Sequence, residues 1–517
     1  MKKKADNWDY EKRKGIFSNS SNLRIIILLL ILAFVFFRTN SYSAGYSYPM
    51  HIDEWQHTAQ IISIANSRIN WNPYFGEPHR DLEIGFHMFW APFAAALGEN
   101  AFIRLYSILP AIFAVLSSIA LFLLVKKISK SYWTAVFSIL FFASLKSSVN
   151  LLGIGFFTPM TMSFPLIYLF MLFFMEGISE GSRKKFMISG LLFLLITAIH
   201  PPSAAILALP ALACLIMERK FIESEKKLIL GIFIAGAVLS VLAVFLLKKP
   251  DTSFFGAIKS FFVFPLGWTG LEIKYFLPYL YSIPATILAL IGIYAAFAKP
   301  NERFIVVFAI FSTALTFLFN NYEFSVLAPY QRAIYYALIA LVPLSAIGLY
   351  EFMKFIERES AEVLKAGKTA SKIIGIIVII LVFFSVFSSR YDAVDSRKKY
   401  AEMVVYDNDY AALRFIRGQF QDKVVLTPVF MNSAVYPASL NRVQSLLPAQ
   451  LGTFDRQEER IEDAISFYDS QKYGNCTEGD KIIRKWNVEI IVSRYELKCP
   501  FNYEKIYEKG DIVYEVV

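Results

Sequence analysis

The amino-acid sequence predicts a polytopic α-helical membrane protein of about 11 transmembrane helices, followed by a small extracytoplasmic α/β domain. The 517-residue chain is 56% hydrophobic and only 18% charged, with 49 Phe against 7 Trp, a balance far from that of a soluble domain. Apolar runs long enough to cross a bilayer, roughly 20 residues each, recur between residues 23 and 387 and then stop. The remaining residues are therefore predicted to fold in water.

The net charge of +10 indicates topology and not nucleic-acid binding, because the cations lie in short clusters at the ends of apolar runs. Placing these clusters in the cytoplasm predicts spans near 23–38, 102–125, 132–150, 156–175, 186–200, 202–218, 228–247, 275–298, 304–320, 327–350 and 373–389. A cleaved signal peptide is the alternative for the first span, although Arg24 interrupts its apolar core.

This topology divides the chain into a cytoplasmic basic amino terminus over 1–22, a transmembrane domain over 23–390 and an extracytoplasmic domain over 391–517. We therefore expect a multi-pass protein of the cell membrane. A long outer segment over 248–274, rich in Phe, Pro and Gly, has the length of a functional loop and is predicted to cover a site.

The first outer loop, 39–101, is predicted to hold two helices outside the bilayer core. Apolar spacing over 52–64 indicates a helix lying at the interface, with Trp55 as a bilayer anchor. The apolar piece over 84–97 is short for a span, and counting it as one would invert every later loop against the positive-inside rule. It is predicted to be a juxtamembrane helix.

In the carboxy-terminal domain, β-branched segments alternate with helical ones. Strands are predicted at 423–427, 442–445, 488–493, 503–508 and 511–517, and helices at 407–417, 461–468 and 481–485. No Gly-rich phosphate loop opens any of these helices, so the sequence gives no support for nucleotide binding. Cys476 and Cys499 both lie in this domain and either pair or stay free, whereas Cys214 lies in a span and is predicted to pack.

The first outer loop also carries the candidate chemistry. Asp53 and Glu54 lie between His51 and His57, in the stretch H-I-D-E-W-Q-H. A second polar cluster follows, made of His79, Arg80, Asp81, Glu83 and His87. Ordinary solvated charges are the alternative. The spacing matches no compact zinc motif, so of the metals we consider only a loosely held divalent cation, Mg²⁺ or Mn²⁺.

Two further candidates lie at the outer ends of predicted spans. His200 precedes Pro201, and Arg332 lies in A-P-Y-Q-R-A-I-Y-Y. A simple helix cap and a snorkelling cation are the alternatives. An arginine fork is also suited to binding the phosphate of a lipid substrate.

With these residues the sequence resembles the GT-C superfamily of integral-membrane glycosyltransferases, including protein O-mannosyltransferases and the lipid A aminoarabinose transferase. The likeness comprises an acidic pair after the first span, the piece W-A-P-F-A-A-A-L-G, a following F-I-R-L-Y-S-I-L-P, and an outer domain ending near E-K-I-Y-E-K-G-D-I-V-Y. It implies transfer of a sugar from a polyprenyl phosphate to an acceptor hydroxyl of a glycan, lipid or protein at the outer face.

The resemblance also implies roles. Asp53 matches the family's catalytic acidic position and would be the general base, with Glu54 supporting it. His200 and Arg332 would line the donor phosphate, while His51, Arg80, Glu83 and His87 would shape the acceptor side.

The Lys-Pro-Pro motif usual in aminoarabinose transferase-like members is replaced here by E-P-H-R-D-L-E-I-G-F-H, which leaves the acceptor open. A flippase of a lipid-linked sugar is the alternative from another class, although its ionisable residues would be expected near the membrane midplane. A glycan ligase or polymerase is a further alternative.

Overall fold

The protein is described by a computed structural model, which covers residues 21–79, 81–147, 151–218, 281–299, 302–322, 330–362, 368–388, 404–447, 456–499 and 503–517. Within these ranges most residues are helical up to residue 388. The helices there are α1 (Ser21–Asn40), α2 (Ile52–Ala65), α3 (Ile84–Leu97), α4 (Glu99–Tyr106), α5 (Leu109–Ser129), α6 (Tyr132–Ala143), α7 (Pro159–Ser179), α8 (Arg183–Ile199), α9 (Pro201–Met217), α10 (Ile283–Phe297), α11 (Arg303–Tyr322), α12 (Tyr330–Glu362) and α13 (Lys368–Ser388). A two-stranded hairpin, β1 (Trp71–Asn72) and β2 (Glu77–Pro78), follows α2.

Five of the helices in the described ranges are long and apolar enough to cross a membrane, namely α1, α5, α7, α12 and α13. Helices α3, α6, α9 and α10, and the Arg303–Phe319 part of α11, are apolar but span only 10–17 residues. A membrane protein is thus supported, while the number of 11 spans stays a prediction. The predicted span 228–247 and the predicted covering loop 248–274 lie outside the described residues.

The span predicted over 102–125 needs a correction at its start. Residues Glu99–Tyr106 form the separate helix α4, and α5 begins at Leu109 with Pro110 in its first turn. Proline suits this position because the first amide groups of a helix have no intrahelical acceptor.

Helix α12, which carries Arg332, packs very closely on α10. A side chain at Gly292 would collide with the backbone of Leu344, and one at Gly348 would collide with the backbone of Leu288. These reciprocal glycines allow the two backbones to approach, as small residues do between membrane helices.

The two helices predicted in the first outer loop are present as α2 and α3, but α2 does not lie on a bilayer surface. Its residues from Asp53 to Ser63 are all buried. Trp55 is 0% exposed and stacks beside Tyr48 at 6.5 Å between ring centroids, so the prediction that it anchors to the bilayer is wrong. Apolar spacing revealed the helix, but it did not reveal that protein covers the polar side as well.

The covering layer comes from the carboxy-terminal part of the chain. A five-stranded mixed sheet has the order β4-β3-β5-β7-β6, with β3 parallel to β4 and β5, and β7 antiparallel to β5 and β6. The elements are α14 (Asp407–Gln419), β3 (Val424–Leu426), α15 (Asn432–Ser439), β4 (Arg442–Val443), α16 (Gln457–Tyr473), α17 (Cys476–Trp486), β5 (Ile490–Ser493), β6 (Tyr503–Lys509) and β7 (Asp511–Val516).

Helix α15 joins this layer to the first outer loop. It packs on α2, and Tyr74 donates a hydrogen bond to the carbonyl of Ser433. The sequence did not predict α15, because Pro437 and short polar side chains lower its helical signal. Cys476 and Cys499 form a disulfide in this layer, which resolves the open question of their pairing.

Candidate functional site

The amino terminus of α2 presents the Asp53 carboxyl group. His51 caps the helix, its Nδ1 accepting a hydrogen bond from the Asp53 amide at 3.1 Å. The Asp53 Oδ2 atom lies 4.0 Å from the same nitrogen, and Asp53 is 8% exposed. The cap thus fixes the backbone of Asp53, and its carboxyl group retains a small opening, which suits a group that receives a proton from a bound molecule.

The carboxylate of the neighbouring Glu54 accepts hydrogen bonds from backbone amide groups. Its Oε2 accepts hydrogen bonds from the amides of Met50 and His51 at 2.8 and 3.2 Å, and its Oε1 accepts one from the amide of Phe157 at 2.6 Å. Burial raises the pKa of Glu54 to about 7, and these three amides oppose the rise. Glu54 thus ties the start of α2 to the segment before α7.

Glu83, Arg332 and His200 form one polar cluster, although their helices are distant in sequence. The Arg332 Nη1 atom lies 2.6 Å from Nε2 of His200 and 3.7 Å from Oε1 of Glu83. The same Glu83 oxygen lies 3.3 Å from Nε2 of His200. The predicted acceptor-side residue Glu83 thus lies beside the two predicted phosphate-side residues.

A chain of buried hydroxyl groups lies at the Nδ1 side of the His200 ring. Its Nδ1 is 2.7 Å from the hydroxyl of Ser203 and 3.2 Å from that of Tyr336, and Ser203 is 2.9 Å from Ser163. Because a guanidinium group can only donate, Nε2 of His200 is placed to accept from Arg332. The Ser203 amide points its hydrogen at Nδ1 of the same ring, at 3.2 Å. Tyr336 lies one helical turn after Arg332, a spacing that could have identified it in the sequence.

Asp53 belongs to the surroundings of this cluster. Burial raises the pKa of Glu83 to about 7; the charge of Arg332 opposes that rise, and the charge of Asp53 adds to it. The contribution of Asp53 is the smallest of those that act on Glu83. The direct contacts of this cluster are those among Glu83, Arg332 and His200.

A second buried chain runs from Asp81 through His87 to His57. His87 Nδ1 donates to the Asp81 carboxylate, and His87 Nε2 is 2.9 Å from Nδ1 of His57. Burial lowers the pKa of His57, and the charges of His87 and Arg332 lower it further, so this ring is neutral at physiological pH. His87, predicted on the acceptor side, is fully buried and holds α3 against α2.

Two predictions gain no support from this geometry. Arg80 lies outside the described residues. Within the described ranges no three His, Cys, Asp or Glu side chains are arranged to hold a metal ion, and both oxygens of Glu54 already accept amide hydrogens. The described residues thus give no support for a protein-ligated divalent cation, and no chemical step is assigned to one.

The sequence profile of DUF6541, a family of unknown function, matches residues 84–461. No curated protein matches the chain in sequence.

Solved structures match over most of the chain. ArnT from Cupriavidus metallidurans bound to undecaprenyl phosphate is 13% identical with a TM-score of 0.55, over 96% of this chain and 99% of that one. The archaeal oligosaccharyltransferase AglB from Archaeoglobus fulgidus, in complex with an inhibitory peptide and a dolichol-phosphate, is 13% identical with a TM-score of 0.54, over 91% and 69%. At this identity the likeness shows the fold, which is the GT-C fold expected from the sequence.

Proposed function

The chain belongs to DUF6541, a family of unknown function, and from its site we propose that it is a glycosyltransferase. It moves a sugar from a polyprenyl-phosphate carrier to an acceptor hydroxyl at the outer face of the membrane. The observation that carries this proposal is the buried contact of Arg332 with His200 and Glu83, taken with the partly open Asp53 carboxyl group at the start of α2. Asp53 can take a proton, and Arg332 can stabilise a phosphate.

Arg332 and His200 form the donor side of the proposed site. The guanidinium group gives the phosphate a fixed positive charge and directed N–H donors. The solved structures with the same fold include one bound to undecaprenyl phosphate and one in complex with a dolichol-phosphate. Their ligands support a lipid phosphate as the donor class here.

Asp53 forms the acceptor side. The acceptor oxygen attacks the anomeric carbon as its proton passes to the Asp53 carboxylate, and the bond between that carbon and the phosphate oxygen breaks. The bonding electrons leave with the lipid phosphate, whose developing charge Arg332 stabilises. The products are the glycosylated acceptor, the free lipid phosphate and a proton on Asp53.

The remaining candidate residues position these two. Glu54 fixes the start of α2 through the amides of Met50, His51 and Phe157, so we assign it support and not chemistry. His51 caps the same helix, and His87 holds α3 against it. We keep Arg80 as a candidate acceptor contact. Glu83 contacts the cation that the phosphate needs, which makes it a competitor for Arg332 in the absence of donor.

We further propose that the protein is multi-pass in the cell membrane, with the amino terminus in the cytoplasm and the sheet region outside. The sheet region packs on α2 through α15, so the two lie on the same side of the membrane. A substrate-access opening from the outer side would reach Asp53 without crossing the bilayer.

The direct test incubates purified protein in lipid with a panel of radiolabelled polyprenyl-phosphate sugars and membrane extract as the acceptor source. Release of label from one carrier, with its appearance in a glycan, lipid or protein fraction, is the expected result. Movement of intact labelled carrier between leaflets without release would favour a flippase. Transfer of a whole glycan would favour a ligase.

A further inference from the structure

We propose that a cavity between the β1–β2 hairpin and the sheet region binds an acidic sugar unit of the acceptor. The cavity measures about 150 Å³, and its lining includes Arg68, Trp71, Gly76, Asp422, Tyr436 and Arg442. This is roughly ten times the space that one water molecule needs. It suits a single sugar ring and is too small for a lipid chain.

The walls of the cavity are fixed by contacts between the hairpin and the sheet region. The Val443 amide donates to the carbonyl of Tyr74 at 2.9 Å, and the Arg460 guanidinium lies over the Phe75 ring at 4.9 Å. Gly76 has a φ of +72°, and a side chain there would press on Cδ of Arg442. A cavity built from two fixed walls loses little conformational entropy when a ligand binds.

The charge of the lining favours an anion. Arg442 is already paired, since its Nε lies 3.2 Å from Oδ1 of Asp422 and its Nη2 donates to the Asp422 carbonyl at 2.7 Å. Arg68 is exposed and has no ion pair with any described residue. Two guanidinium groups and one carboxylate thus leave one positive charge for a ligand.

Trp71 and Tyr436 make the site suited to a sugar and not to a bare anion. Both aromatic residues line the cavity, and flat rings pack well against the apolar faces of pyranoses.

The location links the cavity to the proposed reaction. Arg68 lies just past the end of α2, whereas Asp53 lies at its start. A helix of 14 residues is about 21 Å long at 1.5 Å per residue. An acceptor that occupies both places is therefore an oligosaccharide with its acidic unit several sugars from the reacting hydroxyl. This assignment to the acceptor rests on the proposed function, whereas binding in the cavity does not.

The test is titration calorimetry of the purified full chain with glucuronate, glucose, glucose 1-phosphate and inorganic phosphate. We expect saturable binding of glucuronate, of glucose 1-phosphate or of both, and the two ligands tell a carboxylate from a phosphate. We expect Arg68→Ala to weaken that binding by about tenfold or more, as loss of a charge-assisted contact does, and Trp71→Phe to weaken it as well. Arg484→Ala, which removes an exposed arginine outside the cavity, should leave binding unchanged.

Equal binding of glucose, equal binding of inorganic phosphate, no saturable binding, or no effect of Arg68→Ala would each overturn the proposal. The same preparations are assayed for sugar transfer. Binding without transfer would contradict the proposed function alone. Transfer without binding would contradict the cavity proposal alone.

Discussion

Arg332 and His200 are in direct contact, with Nη1 of the arginine 2.6 Å from Nε2 of the histidine. The contact holds the guanidinium group at one end of a buried hydroxyl chain and leaves the histidine ring uncharged, because an arginine has no hydrogen-bond acceptor. The Arg332 guanidinium group is thus already positioned to bind an anion before the anion enters the site.

Replacing Arg332 with alanine should therefore impair use of the donor. Loss of charge-assisted hydrogen bonds to phosphate costs about 1.5–3 kcal/mol, or roughly 10- to 100-fold. We expect KM for the lipid-linked sugar to rise and kcat to fall by about this factor, while KM for the acceptor stays unchanged.

Arg303→Ala is the matched control, because Arg303 also begins a long helix but pairs with Glu218 outside the cluster. Equal losses on donor and acceptor for Arg332→Ala would mean that this residue is structural.

Glu83 should make donor binding depend on pH. Burial raises the pKa of its carboxyl group to about 7. Below that pH the Glu83 carboxyl group is neutral, so Arg332 is free to bind the donor phosphate. Above that pH the Glu83 carboxylate competes with the phosphate for Arg332. We expect KM for the donor to rise between pH 6 and pH 8 in the wild type, roughly as the ionised fraction of one group does.

The variant Glu83→Gln keeps the size of the side chain and removes the titrating proton. Its donor KM should stay low and nearly flat across the same pH range. A rise in the variant as steep as in the wild type would assign the pH dependence to another group.

Glu54→Gln tests whether Glu54 is a positioning residue. An amide cannot accept from Met50, His51 and Phe157 at once, because one of its two polar atoms is a donor. We expect a loss of about 1–3 kcal/mol in the free energy of unfolding, seen as a lower melting temperature in detergent.

Glu458→Gln, an exposed change in α16, is the control for that measurement. A Glu54→Gln protein with unchanged stability but no transfer would instead give Glu54 a direct chemical role.

Chelation of divalent cations should leave the transfer rate unchanged. The described residues near Asp53 do not provide a set of metal ligands, since Glu54 is saturated by amides. The assay compares rates in EDTA with rates in added Mg²⁺ or Mn²⁺. Loss of activity in EDTA that either ion restores would show a cation site that includes residues outside the described ranges.

Local patterns in the sequence predicted much of the secondary structure. The helix expected over 84–97 is Ile84–Leu97, and the strands expected near 424, 490, 503 and 511 are all present. Apolar period and β-branched composition are local properties, so they are visible without knowledge of the fold.

The arrangement of the site could be predicted only in part. Charge and position in the sequence single out the acidic pair and Arg332, and the resemblance implies their roles. However, Glu54 accepts from Phe157 and Glu83 contacts Arg332 through packing between distant segments. Trp55 is buried in one hydrophobic cluster with Ala434 and Val435 of α15, a helix with a weak sequence signal. Contacts of this kind follow from tertiary structure and leave no periodic pattern of residues in the local sequence.

The most direct test of the account is the rate of sugar transfer by Asp53→Asn, measured with saturating donor and acceptor. Asparagine keeps the shape of the side chain but cannot take the acceptor's proton, and loss of a general base costs about 10²- to 10⁴-fold. We predict a fall of that size in kcat with an unchanged melting temperature and unchanged donor binding. Transfer at the wild-type rate by a folded Asp53→Asn protein would contradict the account.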